Sequence, residues 1–553
     1  MPDSAENKPS ASARVRGTVH QAIARALIDN GVTTMFGLIG DANLYMVDSY
    51  VRDFGGGYVA GANEAGVTLM ALGHASVTGQ VGVATITHGP ALTNTLTALV
   101  EGVKARLPIV LLCGDTDPEA KHHLQNIPQR ELIADTGAGF EQLRTPATLS
   151  TDVATAFRRA RIERRPIVLN MPYEFQWLEV DYQPVTLRTP QARAAAAPGP
   201  DLDDAIGILA GAKRPILLAG RGAASPEARA AILRLAERTG APVATTLRAK
   251  GLFAGEPYNL GIFGTLSTPV AVDAILESDC VVAFGASLSF FTSSHGSFAK
   301  GRRIVQVNLD PADIGCQTEP DVGVVGDAAE VADAMVYWLD QAEVAPSGYR
   351  SEALREQIAA YRPEPLPPRA DDGVCIQTAL QRINAVLPSD RVLVTDGGRF
   401  LGHAWKLIDV EAPSRFVPTT HFGSIGLGLG EAIGAAMAAG APTVLVAGDG
   451  GFMLGGFSEF STAVRYGTDL IVILCNDGSY GAEHIQFMTK GMDPTLSLMA
   501  WPDFAPIAVA FGGEGVIVRT NADIDLAVAA IAARRKPLLI ELKLDPHHMP
   551  RAY

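Results

Sequence analysis

Charge is scarce in this 553-residue chain, and its cysteines follow no pattern. Only 19% of residues are charged against 47% hydrophobic, which excludes a disordered polyelectrolyte and calls for large buried cores. Acidic residues outnumber basic ones, 59 to 45, for a formal net charge of −14. That balance argues against a nucleic-acid-binding surface, although a local basic pocket remains compatible with it. The five cysteines (Cys113, Cys280, Cys316, Cys375 and Cys475) have neither metal-ligand spacing nor the density of a disulfide framework. No long apolar run is intact: the longest, Ile425 to Gly448, is interrupted by glycines, Glu431 and Pro442, so no spanning helix is expected. Met1 to Arg16 is polar and lacks the apolar core of a signal peptide. A cytoplasmic, soluble enzyme is the expected class.

The length suggests about three domains, and two joints divide the chain accordingly. Val185 to Asp201 repeats Thr, Pro and Ala without period, and Tyr361 to Asp372 carries four prolines. Residues 1–16 read as a flexible leader, followed by domains at 17–185, 200–345 and 370–553. Val19 to Asp29 has helical periodicity. Thr33 to Ile39, Val81 to Ile86 and Ile109 to Cys113 read as buried strands. Similar runs recur at Ile216 to Ala219, Val243 to Thr246, Val281 to Phe284 and Ile304 to Asn308. The third segment repeats them at Val392 to Thr395, Thr443 to Ala447, Leu470 to Cys475 and Leu538 to Leu544. Strands alternating with helices predict an α/β fold of three sequential doubly wound parallel-sheet domains.

The sharpest motif lies in the third segment. A predicted strand runs into Gly448-Asp449-Gly450-Gly451, and the next ends in Asn476-Asp477-Gly478-Ser479-Tyr480-Gly481, with Asn476 placed 27 residues after Asp449. Glycines at the carboxyl ends of parallel strands let backbone N–H groups approach phosphate oxygens. Carboxylate and amide oxygens suit Mg²⁺. A lone Gly-Asp-Gly is an ordinary turn, whereas the pair at this spacing is far more specific. It resembles the fingerprint of thiamine-diphosphate (ThDP) enzymes, in the superfamily of pyruvate decarboxylases, acetolactate synthases and pyruvate oxidases. The resemblance covers nearly the whole chain and implies pyrimidine-binding, central and diphosphate-binding domains, in that order. It also implies metal ligation by Asp449, by the backbone carbonyl of Ser479, and by one of two side chains. Aligning on Tyr480-Gly481 selects Asp477; plain spacing selects Asn476.

The same resemblance assigns Glu64, in Asn63-Glu64, as the carboxylate that activates the coenzyme's pyrimidine ring. Taken alone, that residue would be an ordinary acid in a first helical turn. The coenzyme would lie between the pyrimidine-binding domain of one subunit and the diphosphate-binding domain of another, so at least a homodimer, and by analogy a homotetramer, is expected. Gly423-Ser424-Ile425 matches the loop whose aliphatic side chain wedges the coenzyme into a bent shape, with a core isoleucine as the alternative. Gly397, Gly398 and Arg399 are further diphosphate contacts by this reading, or Arg399 is a solvated surface charge. Pro90 and Asn94, in Gly89-Pro90-Ala91-Leu92-Thr93-Asn94, match a cofactor-contacting turn of acetolactate synthases.

For the reaction, Gly40-Asp41-Ala42-Asn43-Leu44, the pair His122-His123, and Glu483 three residues after Tyr480 resemble decarboxylases. With Asp41 and Glu64 they would form an acid–base set for non-oxidative decarboxylation of a 2-oxo acid through a C2 carbanion and enamine. Asp41 as a turn residue, the histidines as a surface loop and Glu483 on a solvated helix face are the competing readings. His88, in Thr87-His88-Gly89, and the Gln125-Asn126-Ile127-Pro128-Gln129 loop lean instead to an acetolactate-synthase-like carboligase or C–C lyase. An inactive ThDP-binding homologue is the reading from another class. Gly220-Arg221-Gly222, Gly285-Ala286-Ser287 and Asn308-Leu309-Asp310 occupy strand ends where flavin-binding relatives hold FAD. Ser287 stands where those relatives have Arg, which disfavours FAD. The substrate is expected to be a small 2-oxo acid or acyloin, with no nucleic-acid or membrane partner.

Overall fold

The computed structural model describes residues 15–117, 119–120, 122–185, 187–188, 198–366 and 372–548. It contains three six-stranded sheets, each wholly parallel, and one short antiparallel pair. The two proline- and alanine-rich joints fall partly outside the described residues, as does the expected leader up to residue 14. Val15 and Arg16, which composition places in that leader, are paired. Val15–Thr18 forms a strand antiparallel to Glu179–Tyr182, and Arg16 pairs with Glu179. Backbone pairing orders these residues despite their polarity.

The first sheet comprises Thr34–Gly37, Gly57–Ala60, Gly82–Ile86, Ile109–Asp115, Gly139–Gln142 and Ile167–Pro172. Counted along the chain, its strands lie side by side in the order 2-1-3-4-6-5. The third sheet, Val392–Thr395, Phe416–Pro418, Thr443–Gly448, Leu470–Asn476, Glu514–Val518 and Leu538–Lys543, repeats that order. The middle sheet runs 3-2-1-4-5-6, the order of dinucleotide-binding sheets. In the outer sheets the order reverses between strands 1 and 3, and open α/β sheets bind ligands in the crevice at such a reversal.

The two outer domains share one hydrophobic core. Phe36, Leu72, Leu111, Val394, Leu445 and Leu474 all belong to it. Its centre is the crossing of two helices, Glu64–Thr78 and Gly428–Ala439, both rich in small and apolar residues. Glycines permit the approach: a Cβ on Gly73 would lie 2.0 Å from the Glu431 carbonyl oxygen, and one on Gly434 1.9 Å from that of Met70. A helix apolar around its circumference has to be enclosed, and here the two enclose each other. No helix among the described residues is long and apolar enough to cross a membrane.

Candidate active site

In the third domain the strand Val392–Thr395 ends at Asp396, and its neighbour Thr443–Gly448 ends at Asp449, on either side of the order reversal. Asp396 is fully enclosed. It accepts N–H groups from Gly397 (2.7 Å), Gly426 (2.9 Å) and Leu427 (3.3 Å), and burial pushes its carboxyl up to about 6. It thereby ties the first strand end to the loop carrying Gly423, Ser424 and Ile425. Gly423 and Gly426 both have positive φ (81° and 86°), which favours glycine where this loop turns. The half-exposed Ile425 is directed against two Gly-rich turns: a Cβ on Gly397 would lie 3.1 Å from its Cγ2, and one on Gly451 3.4 Å from its Cβ. Gly398 lies beneath Phe400, and the Tyr480 ring covers Gly450.

Asp449 is buried, and its Oδ2 has no hydrogen-bond partner. Burial, reinforced by the charge of Asp477, pushes its carboxyl up to about 7. An enclosed carboxylate oxygen without a donor, facing a second carboxylate, suits a hard divalent cation. Asp477 accepts from Ser479 N (3.0 Å) and Ser479 Oγ (2.7 Å) through one oxygen, and from Arg399 Nε (2.8 Å) through the other. Asn476 is turned elsewhere. Its Nδ2 donates to the buried Glu541 (2.7 Å), and its Oδ1 accepts from Gly478 N (3.1 Å). Arg399 is not a solvated charge: it is enclosed against Asp477 and also donates to the Pro546 carbonyl (2.9 Å). Its side chain passes over Gly481, where a Cβ would lie 2.7 Å away.

The first domain presents its own cluster at the equivalent reversal. Thr87 Oγ1 donates to Asp41 (2.8 Å) and lies 3.0 Å from His88 Nδ1. The His123 ring is centred 5.5 Å from that of the buried His88. Burial lowers the His88 pKa, opposed by Asp41 and assisted by His123. His122 is exposed on the adjoining turn, and Glu483 is exposed on the first turn of Gly481–Thr489. The geometry of one chain therefore groups Asp41, His88 and His123, and does not bring His122 or Glu483 to them. Glu64 opens the helix Glu64–Thr78, which Asn63 caps through Ala65 N (2.8 Å). It accepts from Asn94 Nδ2 (2.9 Å), at the end of the short helix Pro90–Thr93.

The sequence reading did not single out Thr87 or Asp396 as site residues. It also passed over two interdomain carboxylates, Glu101 and Glu459. Position alone marked Asp396, a polar residue directly after an apolar strand. In the central domain, Gly220, Gly222 and Gly285 are in mutual contact (a Cβ on Gly285 would lie 2.4 Å from the Gly222 carbonyl carbon). Arg221 reaches the Ala105 carbonyl of the first domain. Close packing of these turns requires glycine at these strand ends.

Three family models match in sequence: the thiamine pyrophosphate enzyme N-terminal TPP-binding domain over residues 17–137, its central domain over 202–335, and its C-terminal TPP-binding domain over 396–542. Among curated relatives, an acetolactate synthase of Arthrospira platensis is 28% identical, covering 98% of this chain and 96% of its own. A sulfoacetaldehyde acetyltransferase of Castellaniella defragrans is 28% identical (95% and 93% covered). The acetolactate synthase isozyme 2 large subunit of Escherichia coli K12 is 26% identical (95% and 95%). With all three domains matched in order, the chain belongs to the thiamine pyrophosphate-dependent enzyme family.

Proposed function

We propose that the protein binds ThDP and Mg²⁺ and decarboxylates a small 2-oxo acid without an external oxidant. The observation that carries this reading is Asp449, buried at a strand end with an unpartnered oxygen beside Asp477 and the glycine turns. Asp449, Asp477 and the Ser479 carbonyl would hold the cation, with Asn476 as the alternative side chain. Pro90, Gly397, Gly398, Gly448, Gly450, Gly451, Tyr480 and Gly481 would complete the cofactor's surroundings. When bound, the coenzyme would supply a nucleophilic carbon and an electron-accepting ring suited to decarboxylation of a 2-oxo acid.

The chain's own residues do the rest. Glu64, oriented by Asn94, would share a proton with the pyrimidine ring, and Ile425 would support the coenzyme's bend. Asp41 and His88, joined through Thr87, hold and return protons where substrate enters. The coenzyme would be shared between two chains, making a dimer the smallest active unit.

A second reading concerns the fate of the acyl unit. The relatives are named as acetolactate synthases and an acetyltransferase. Those names favour transfer of the acyl unit to an acceptor over its release as an aldehyde. Mass spectrometry of products from a panel of 2-oxo acids separates the outcomes: free aldehyde supports simple decarboxylation, an acyloin or 2-hydroxy-2-acyl acid supports carboligation, and unconsumed substrate rejects both.

A further inference from the structure

Two buried carboxylates cross between the outer domains, each ending on a loop of the proposed site. Glu459, in the helix Glu459–Arg465 of the third domain, accepts the N–H groups of Ala62 and Asn63 (both 2.9 Å), immediately before Glu64. Its other oxygen accepts from Thr462 (2.7 Å). Glu101, in the helix Leu96–Ala105 of the first domain, accepts from His421 N (3.1 Å), His421 Nδ1 (2.6 Å) and Phe422 N (2.6 Å), immediately before Gly423-Ser424-Ile425. Both glutamates are fully enclosed.

The arrangement is reciprocal down to topology. Each carboxylate stands on the second helical segment after strand 3 of its own sheet, and each receiving loop follows strand 2 of the other. Around Glu459 the contacts are close: a Cβ on Gly66 would lie 2.2 Å from its Oε1, so only glycine there admits the carboxylate. Arg465 and Tyr466 grip the same strand end through the carbonyl and N–H of Ala60 (2.7 and 2.8 Å). An enclosed acid accepting several N–H groups is a strong, directional tether, costly to leave half-made.

We infer that Glu459 is a positioning residue for Glu64, and Glu101 its counterpart for the Ile425 loop, so that each outer domain sets the geometry of the other's site loop. The inference deepens the proposed function and rests on it. The two tethers differ in what they control. Loss of Glu459 lets the activating acid drift while the diphosphate and metal contacts stay intact. Loss of Glu101 loosens the loop that supports the coenzyme's bend and leaves Glu64 held.

The test combines exchange of the ThDP C2 proton with solvent deuterium, followed by quenched NMR, with calorimetric ThDP affinity in Mg²⁺. Exchange is measured on the full-length protein at saturating coenzyme, and affinity by titration of the same protein from the coenzyme-free state. Glu459→Ala slows exchange by about tenfold or more with affinity little changed. Gly66→Ala, which expels the carboxylate without removing it, reproduces the defect, and Glu459→Gln recovers most of the rate because its amide oxygen still accepts both N–H groups. Glu101→Ala gives the opposite split, with affinity weakened about tenfold and exchange in the saturated protein retained. The inference is overturned if Glu459→Ala exchanges like wild type, or if both alanine variants lose rate and affinity together in step with melting temperature. Wild-type protein that binds ThDP without accelerating exchange would instead overturn the coenzyme reading, and the inference with it.

Discussion

Glu64 carries the sharpest residue-scale prediction. Glu64→Gln keeps the shape and the Asn94 contact but removes the acid, so ThDP affinity should hold while turnover falls by about 10²–10⁴-fold, the span of general acid–base catalysis; steady-state kinetics beside calorimetry check it. Glu431 makes a prediction about pH. It is enclosed in the helix crossing with Oε1 unpartnered, and burial, then the charges of Glu101 and Asp396, raise its pKa well above the usual carboxylate range. The folded state therefore binds a proton that the unfolded chain has released. That contribution is complete below the unfolded value near 4.3 and is lost as pH climbs towards the folded one. Glu431→Gln should stabilise the protein at pH 7 to 8 and give little by pH 5, measured by denaturant midpoint across that range. A gain that grows on acidification would contradict the sign. At this scale the sequence marks the positions where a motif crosses a strand end, as at Asp449, Asp477 and Glu64, whose roles are proposals. It was silent on Glu101 and Glu459, whose partners lie more than 300 residues away along the chain.

Among the elements, continuous apolar strands were readable and interrupted or half-exposed ones were not. Val392–Thr395 and the helix Val19–Asp29 coincide with their predicted bounds, and the other predicted strands differ from theirs by a few residues at most. Ile167–Pro172 was missed although it sits inside the first sheet. Asn170 breaks its apolar run, and that asparagine is satisfied by Asp115, Gln129 and Gln142, contacts that only the fold creates. Gly139–Gln142, Asn259–Ile262 and Val322–Val325 are short strands with half-exposed faces, where alternation is too brief to register. The helix crossing gives the element-scale test. Gly73→Ala should destabilise by about 1–3 kcal/mol through overpacking. Gly207→Ala, in the helix Pro200–Gly211 with nothing within 4 Å, should stabilise by about 0.5–1 kcal/mol. Urea midpoints of the pair check both signs, and equal shifts would remove the special role given to the crossing.

For the whole molecule, the repeated 2-1-3-4-6-5 order and the shared core make the outer domains a matched pair. The three-domain α/β plan followed from alternating patterns and two joints. The repeated order did not, because strand order depends on crossovers that leave no local mark. If the coenzyme is held between two chains, mixing inactive Glu64→Gln with inactive Asp449→Ala should restore about a quarter of wild-type activity. Random dimers would then be half hybrids, each with one intact site of two; no recovery would place the site within one chain. The central claim is tested most directly by calorimetric titration of ThDP into the metal-free protein, with and without Mg²⁺, beside Asp449→Ala. The account predicts saturable binding of one coenzyme per chain that requires both the cation and the Asp449 carboxylate. Absence of binding to the wild type, or binding indifferent to Mg²⁺ and to Asp449, would contradict it.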